Sequence, residues 1–175
     1  MKYLLFSLLT FFAGSISNFA LAPWDYIFVL LFSFPLFFFV LQDIYNEKKI
    51  KNKTLSFILF GNIFLFGYFL FGLLWISSAF DYREGFAELK FISIFGLPFL
   101  LCLITTPGWI LTAFLWGKGP HGCFALSAGI ITGEFLRSYL FSGFPWNLFG
   151  HSIGFNDFSM QVGSIFGFHL SGFFV

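Results

Sequence analysis

Charge is scarce in this sequence. Asp, Glu, Lys and Arg make up 10% of its 175 residues, where a soluble domain carries about 25%. So few charges cannot clothe a water-soluble globule. There is no basic excess either. The net charge is +1, no exposed basic face can be drawn, and nucleic-acid binding has no support. Cysteine is nearly missing as well. Cys102 and Cys123 fall at or inside apolar runs and make no CxxC, no Cys/His cluster and no disulfide framework. A thiol in hydrocarbon is inert, so Cys102 reads as packing. His121 and His169 stand alone without metal-ligand spacing. No glycine-rich phosphate loop followed by Lys-Ser or Lys-Thr occurs. No metal and no cofactor is expected.

Hydrocarbon is there in quantity. Hydrophobic residues make up 58% of the chain and come in long runs rather than amphipathic stripes. A run of about 20 apolar residues crosses a bilayer as a helix, because a helix satisfies its own backbone polar groups. Six such segments can be read, at 4–22, 26–41, 55–80, 91–116, 123–141 and 158–175. The predicted fold is an all-α membrane protein, a polytopic transmembrane helix bundle of about six helices, forming one domain over residues 1–175. Pro35, Pro98 and Pro107 lie inside segments and predict kinks rather than breaks. The 33 phenylalanines read as lipid-facing bulk rather than an aromatic ligand box. The first segment has a signal-peptide look, with Lys2 before it and Ala20-Leu21-Ala22 at its end. Its length, the Pro23 that follows and the later segments favour a retained helix.

Lysine and arginine in the short loops set orientation. Lys2, Lys48, Lys49, Lys51, Lys53 and Lys118 share one side. Arg83, Lys90 and Arg137 lie on the other, with Asp25, Asp81, Glu84, Glu88 and Asp157. This bias predicts a cytoplasmic N-terminus, with loops 23–25, 81–88 and 142–157 facing outward. The basic loop 47–53 is also placed to touch anionic lipid heads, although a topology signal alone accounts for it.

Small residues mark packing faces where no hydrophobic effect drives helix association. Ala125, Gly129 and Gly133 recur every four residues on the fifth segment. Ser159, Gly163, Gly167 and Ser171 do so on the sixth. Gly61, Tyr68, Gly72 and Trp75 share a face of the third and also read as packing.

Glu134 and Arg137 are the residues most open to a chemical reading. They lie three apart in the fifth segment, so their side chains can meet. A lone charge at the helix centre costs about 2.5–3.5 kcal/mol. The pair either lines a polar cavity opening outward, fit for a phospholipid head or a polypeptide end, or is self-neutralised and snorkels to the interface. After it comes Ser142-Gly143-Phe144-Pro145-Trp146-Asn147. Gly143 and Pro145 end the helix, and Phe144 and Trp146 fall at headgroup depth. On composition alone this stretch is an aromatic belt anchor. His151, with Ser142 or Ser152, makes a conceivable Ser/His nucleophile pair, but only Asp157 is near enough to orient it.

Taken in order, these features resemble apolipoprotein N-acyltransferases. Asn18-Phe19-Ala20-Leu21-Ala22-Pro23-Trp24-Asp25 is similar to the end of that family's first helix. Phe60-Gly61, continuing to Gly72-Leu73-Leu74-Trp75-Ile76, resembles its glycine-rich third helix. The most specific match is Glu134-Phe135-Leu136-Arg137-Ser138 followed by Ser142-Gly143-Phe144-Pro145-Trp146. Leu148-Phe149-Gly150-His151-Ser152 and Gln161-Val162-Gly163-Ser164-Ile165-Phe166-Gly167 continue the resemblance, with Ser142 for the usual Thr and His151 for the usual Tyr.

The resemblance implies a cytoplasmic (inner) membrane enzyme of bacteria. It transfers an acyl chain from a phospholipid donor to the α-amino group of a diacylglyceryl-lipoprotein acceptor. In the family a cysteine thiolate forms the thioester, with a glutamate base and a lysine at the oxyanion, all in a nitrilase-like domain. Neither cysteine here matches that nucleophile, so no catalytic residue is expected in this chain. Val175 falls in an apolar run without a charged flank, so the last helix is expected to be truncated and the chain to be a fragment or the product of a truncated reading frame. Glu134, Arg137, Pro145 and Trp146 are the candidate contacts for substrate and membrane lipids, with Trp75 beside them. Two readings of other classes stay open. One is a small transporter or flippase-like protein with Glu134 as a proton-coupled site, which needs a second buried acid or a discontinuous helix pair. The other is a non-catalytic assembly subunit that binds a partner helix through the glycine stripes.

Overall fold

The computed structural model of the chain describes residues 1–81, 85, 87–117, 119 and 121–172. Arg83, Glu84 and Lys118 of the predicted loops, and residues 173–175 of the sixth segment, lie outside the described residues. The chain is all-helical, with no strand among the described residues. The helices are α1 (Lys2–Ser17), α2 (Leu30–Asn46), α3 (Lys53–Gly72), α4 (Ala87–Phe91), α5 (Leu97–Leu115), α6 (His121–Tyr139) and α7 (Asp157–Ser171). Four helical stretches, Lys2–Ala20, Ile27–Asn46, Lys53–Gly72 and Glu88–Leu115, are long and apolar enough to cross a membrane. They coincide with the first four predicted segments. α6 has 19 residues, about 28 Å at 1.5 Å per residue. Glu134, Arg137 and its small residues dilute its hydropathy.

Segment ends depart from the sequence reading for local reasons. α2 continues past Leu41 to Asn46 because Ile44 extends its buried stripe and Lys2 reaches Asp43 at 2.6 Å. The third segment stops being α-helical at Gly72. Leu73 (φ −114°, ψ 6°) turns the chain into a 3₁₀ stretch, Leu74–Phe80. A Cβ on Gly72 would collide with the side-chain amides of Asn18 and Asn147, so only glycine admits them there. Pro98 lies in the first turn of α5, directly after a π-helical turn, Ile92–Gly96. Such a widened turn accommodates a residue with no N–H to donate. Pro35 and Pro107 lie within α2 and α5 without ending them.

The fifth segment packs as its small residues predict. Gly129 faces Gly108 and Thr112, and Gly133 faces Thr105, so α6 lies backbone-close on α5. α1 and α3 approach equally closely through Gly14 and Gly67, which meet the carbonyls of Phe64 and Phe11. The sixth segment does not present the expected unbroken face. Gly167 leaves the helix (φ 73°, ψ 155°), and the Phe168 ring folds back beneath Gly163, 2.9 Å from where a Cβ would sit. Phenylalanine is also more than lipid-facing bulk. Phe37 and Phe64 stack at 4.4 Å, Phe37 meets the Trp109 ring edge-on at 5.8 Å, and all three are fully buried.

One end of the bundle holds Lys2 against Asp43 and Glu47, and Lys53 on the carbonyl oxygens of Ile44 and Glu47. At the opposite end, the chain after α1, the chain after α3 and the chain after α6 meet. The candidate residues are there.

Candidate functional site

α6 ends by doubling back. Phe141 (φ 51°) and Gly143 (φ 83°) adopt left-handed conformations, and the Phe144 N–H returns a hydrogen bond to the Arg137 carbonyl at 2.7 Å. The loop is thereby folded over its own helix end. Three of its carbonyls then converge on the Arg137 guanidinium. Nη1 donates to Phe144 O (2.7 Å) and Trp146 O (2.5 Å), and Nη2 donates to Asn147 O (2.8 Å). The planar fork of arginine suits such a convergence where a lysine ammonium would not. The Phe69 ring lies 5.1 Å beneath the guanidinium carbon.

Glu134, one turn earlier, holds the next stretch. Its Oε1 accepts from Phe149 N–H at 2.7 Å and lies 3.8 Å from Arg137 Nη2. The second contact is too long for a hydrogen bond. The two charged residues therefore act first on the backbone of the loop and only second on each other. Glu134 is 4% exposed and Arg137 1%. They neither line an outward-opening cavity nor snorkel to the interface, the two readings their spacing allowed. They are buried inside the protein.

Three further residues complete the framework. Tyr68 Oη donates to Asn147 O at 3.0 Å, Asn147 Nδ2 donates to Gly72 O at 3.1 Å, and Asn18 Nδ2 donates to Tyr68 O at 2.6 Å. The chain after α1, the end of α3 and the loop after α6 are tied through these bonds. Asn18, Tyr68 and Asn147 were not among the sequence candidates. The available signal was a polar side chain within or beside an apolar run, where an unpaired amide is costly to bury.

With its backbone held inward, the loop turns its side chains out. Pro145 is exposed. Trp146 is 56% and Trp75 58% exposed, and their rings meet edge to face at 5.9 Å. Trp24, also exposed, meets Phe19 at 5.7 Å. Of the five candidates, then, Glu134 and Arg137 form the buried frame, while Pro145, Trp146 and Trp75 form the exposed rim.

The arrangement holds no activated nucleophile among the described residues. Ser138 Oγ donates a hydrogen bond to Glu134 O (2.7 Å) and lies 2.9 Å from His169 Nε2. Ser152 is fully buried and donates to Phe149 O at 2.7 Å. His151 packs instead edge-on against Phe168 at 5.0 Å, and the Ser142 side chain lies outside the described residues. Burial, then the Arg137 charge, then His169 push His151 below its ordinary pKa of 6.5. No group of three or more metal-ligating side chains occurs among the described residues. Glu134 is the one buried acid among them.

Residues 13–175 match the family profile described as "Apolipoprotein N-acyltransferase N-terminal domain". A protein of Sinorhizobium fredii named apolipoprotein N-acyltransferase is 32% identical over 158 residues, covering 89% of this chain and 30% of the relative. Relatives of the same name from Rhodopseudomonas palustris (34% identical, covering 81% of this chain and 26% of the relative) and Agrobacterium fabrum (33%, 81% and 27%) are similar. The chain thus spans less than a third of the length of these curated relatives. The profile match over residues 13–175 and the relatives at 32–34% identity show that this chain belongs to the apolipoprotein N-acyltransferase family.

Proposed function

We propose that this chain is the membrane part of an enzyme that transfers an acyl group from phospholipid to the N-terminal S-diacylglyceryl-cysteine of bacterial lipoproteins. It forms a single transmembrane domain in the cytoplasmic membrane. The lysine-rich end and the N-terminus face the cytoplasm, and the tryptophan loop faces outward. The chemical steps fall to residues beyond the region shared with the relatives. This region anchors the enzyme and holds the rim at which lipid and lipoprotein approach. Pro145, Trp146 and Trp75 meet the substrates, and Glu134 and Arg137 position the loop that carries Trp146. One observation carries the reading: three backbone carbonyls clamped on a buried arginine, beneath a tryptophan left 56% exposed. Amphipathic indoles are favoured at headgroup depth, where one edge is wet and the other apolar.

The test is Trp146→Ala in a full-length enzyme whose membrane part is this sequence, in cells depleted of their own acyltransferase. Mass spectrometry of lipoprotein N-termini gives the ratio of triacylated to diacylated product, and immunoblotting gives abundance. The ratio is expected to fall by more than abundance does, with Trp146→Phe retaining most of the activity. Equal losses would reduce Trp146 to an anchor of the fold.

A further inference from the structure

Gly72 is the last residue of α3, and the last carbonyls of an α-helix have no partner within it. The Gly72 carbonyl is capped from 75 residues away, by Asn147 Nδ2 at 3.1 Å. The same asparagine is also a target of the arginine clamp. Its own carbonyl accepts from Arg137 Nη2 (2.8 Å) and from Tyr68 Oη (3.0 Å). Its backbone is left-handed, with φ 52°, a conformation that asparagine tolerates better than most residues. Gly72 has no Cβ to hold the Asn147 amide away, and the Asn18 amide closes on the same spot. Among the described residues, the Asn147 amide makes the one hydrogen bond between residues 72–80 and residues 143–149.

Two tryptophans flank this joint. Trp146 directly precedes Asn147, and Trp75 follows Gly72 by three residues. Their rings meet edge to face at 5.9 Å, although both are more than half exposed. An exposed aromatic pair contributes little by itself, so the backbone beneath it decides whether the rings stay together. We infer that Asn147 is the positioning residue that sets Trp146 against Trp75, so that the two indoles form one contact surface. The amide fixes the loop to the end of α3. The left-handed backbone and the doubly held carbonyl fix the direction in which the chain leaves Trp146. That this surface meets lipid or lipoprotein rests on the function proposed above; the placement of the rings does not.

The experiment uses the 175-residue chain in lipid vesicles, labelled with ¹³C-tryptophan. The chain has five tryptophans. Trp75→Phe and Trp146→Phe each identify the cross-peak between the two rings by removing it. Carbon–carbon correlation spectra under magic-angle spinning should show that cross-peak in the unmodified chain. Asn147→Gly keeps the left-handed backbone and the carbonyl but removes the amide, and should lose most of the cross-peak. Asn147→Asp keeps the size, but an ionised carboxylate cannot donate to Gly72 O. It should act in the same way, and it carries the test if the glycine variant fails to fold. Gly129→Ala crowds the α5–α6 contact instead and should leave the cross-peak in place. Absence of the cross-peak in the unmodified chain would overturn the inference. So would its retention in the Asn147 variants, or an equal loss in Gly129→Ala. In a full-length enzyme whose membrane part is this sequence, Asn147→Gly should raise KM for the phospholipid donor by about 2–10-fold, the factor of one hydrogen bond, and change kcat less. A lost cross-peak with KM unchanged would uphold the placement of the rings by Asn147 and refute their contact with substrate, so the two failures are distinguishable.

Discussion

Replacing Arg137 and Glu134 one at a time separates two accounts of the buried pair. If their mutual attraction were the main interaction, removing either partner would cost about 3–5 kcal/mol, and the double variant would cost little more. The geometry says otherwise. Arg137 makes three charge-assisted bonds to carbonyls at 2.5–2.8 Å, while its nearest approach to Glu134 is 3.8 Å. In Arg137→Leu, Asn147 O keeps Tyr68 Oη as a donor, but Phe144 O and Trp146 O lose theirs. Two orphaned carbonyls at about 1–3 kcal/mol each, with a carboxylate left buried and unneutralised at about 3–5 kcal/mol, put the loss at about 5 kcal/mol or more. That is a large share of a stability of about 5–15 kcal/mol. Glu134→Gln keeps an oxygen to accept from Phe149 N–H, and Arg137 keeps its carbonyls, so about 1 kcal/mol is expected. Arg137→Lys falls between, since an ammonium keeps the charge but not the fork. The assay is SDS-induced unfolding in detergent micelles followed by tryptophan fluorescence, with chymotrypsin cleavage at the aromatic residues of the 144–149 stretch as a local readout. If Glu134→Gln proved as damaging as Arg137→Leu, the carbonyl clamp would not be what holds the loop.

Two other outcomes follow from packing and from titration. Gly129→Ala drives a Cβ into Thr112 Oγ1 and to 2.6 Å from Gly108 O, so it should cost about 1–3 kcal/mol by overpacking. Gly154→Ala meets nothing within 4 Å and should stay within about 0.5 kcal/mol; the same unfolding assay compares them. His151 is held below 6.5 by burial, Arg137 and His169, so the unfolded chain takes up its proton more readily than the folded one. Stability from this group is full above 6.5 and falls as pH drops through the folded pKa. His151→Gln should flatten that acid-side decline in Tm, and an unchanged slope would mean that His151 does not contribute to it.

How much of this was legible in the sequence depends on where each cause lies along the chain. The first four spans were legible because an apolar run of bilayer length carries its own signal. The α5–α6 contact was legible because Gly129 and Gly133 need only their spacing to mark a face. The end of α3 was not. Gly72 stops the helix for the sake of Asn18 and Asn147, one far upstream and one far downstream. Gly167 misled for the opposite reason, since a glycine that permits φ 73° looks in sequence just like one that admits a neighbouring helix.

The site divides along the same line. Glu134 and Arg137 were legible as a pair because i and i+3 side chains meet, yet their main partners are backbone carbonyls and an N–H, which have no letter in a sequence. This changes the role that each candidate can hold. A buried arginine that satisfies the carbonyls of 144, 146 and 147 lets an irregular loop stay folded without water to solvate its backbone. Buried this way, Arg137 cannot itself reach a lipid. Trp146 can, because the same clamp that fixes its backbone leaves its ring exposed beside Trp75. Under the proposed function, recognition at this rim belongs to the tryptophans, and the charged pair sets their position.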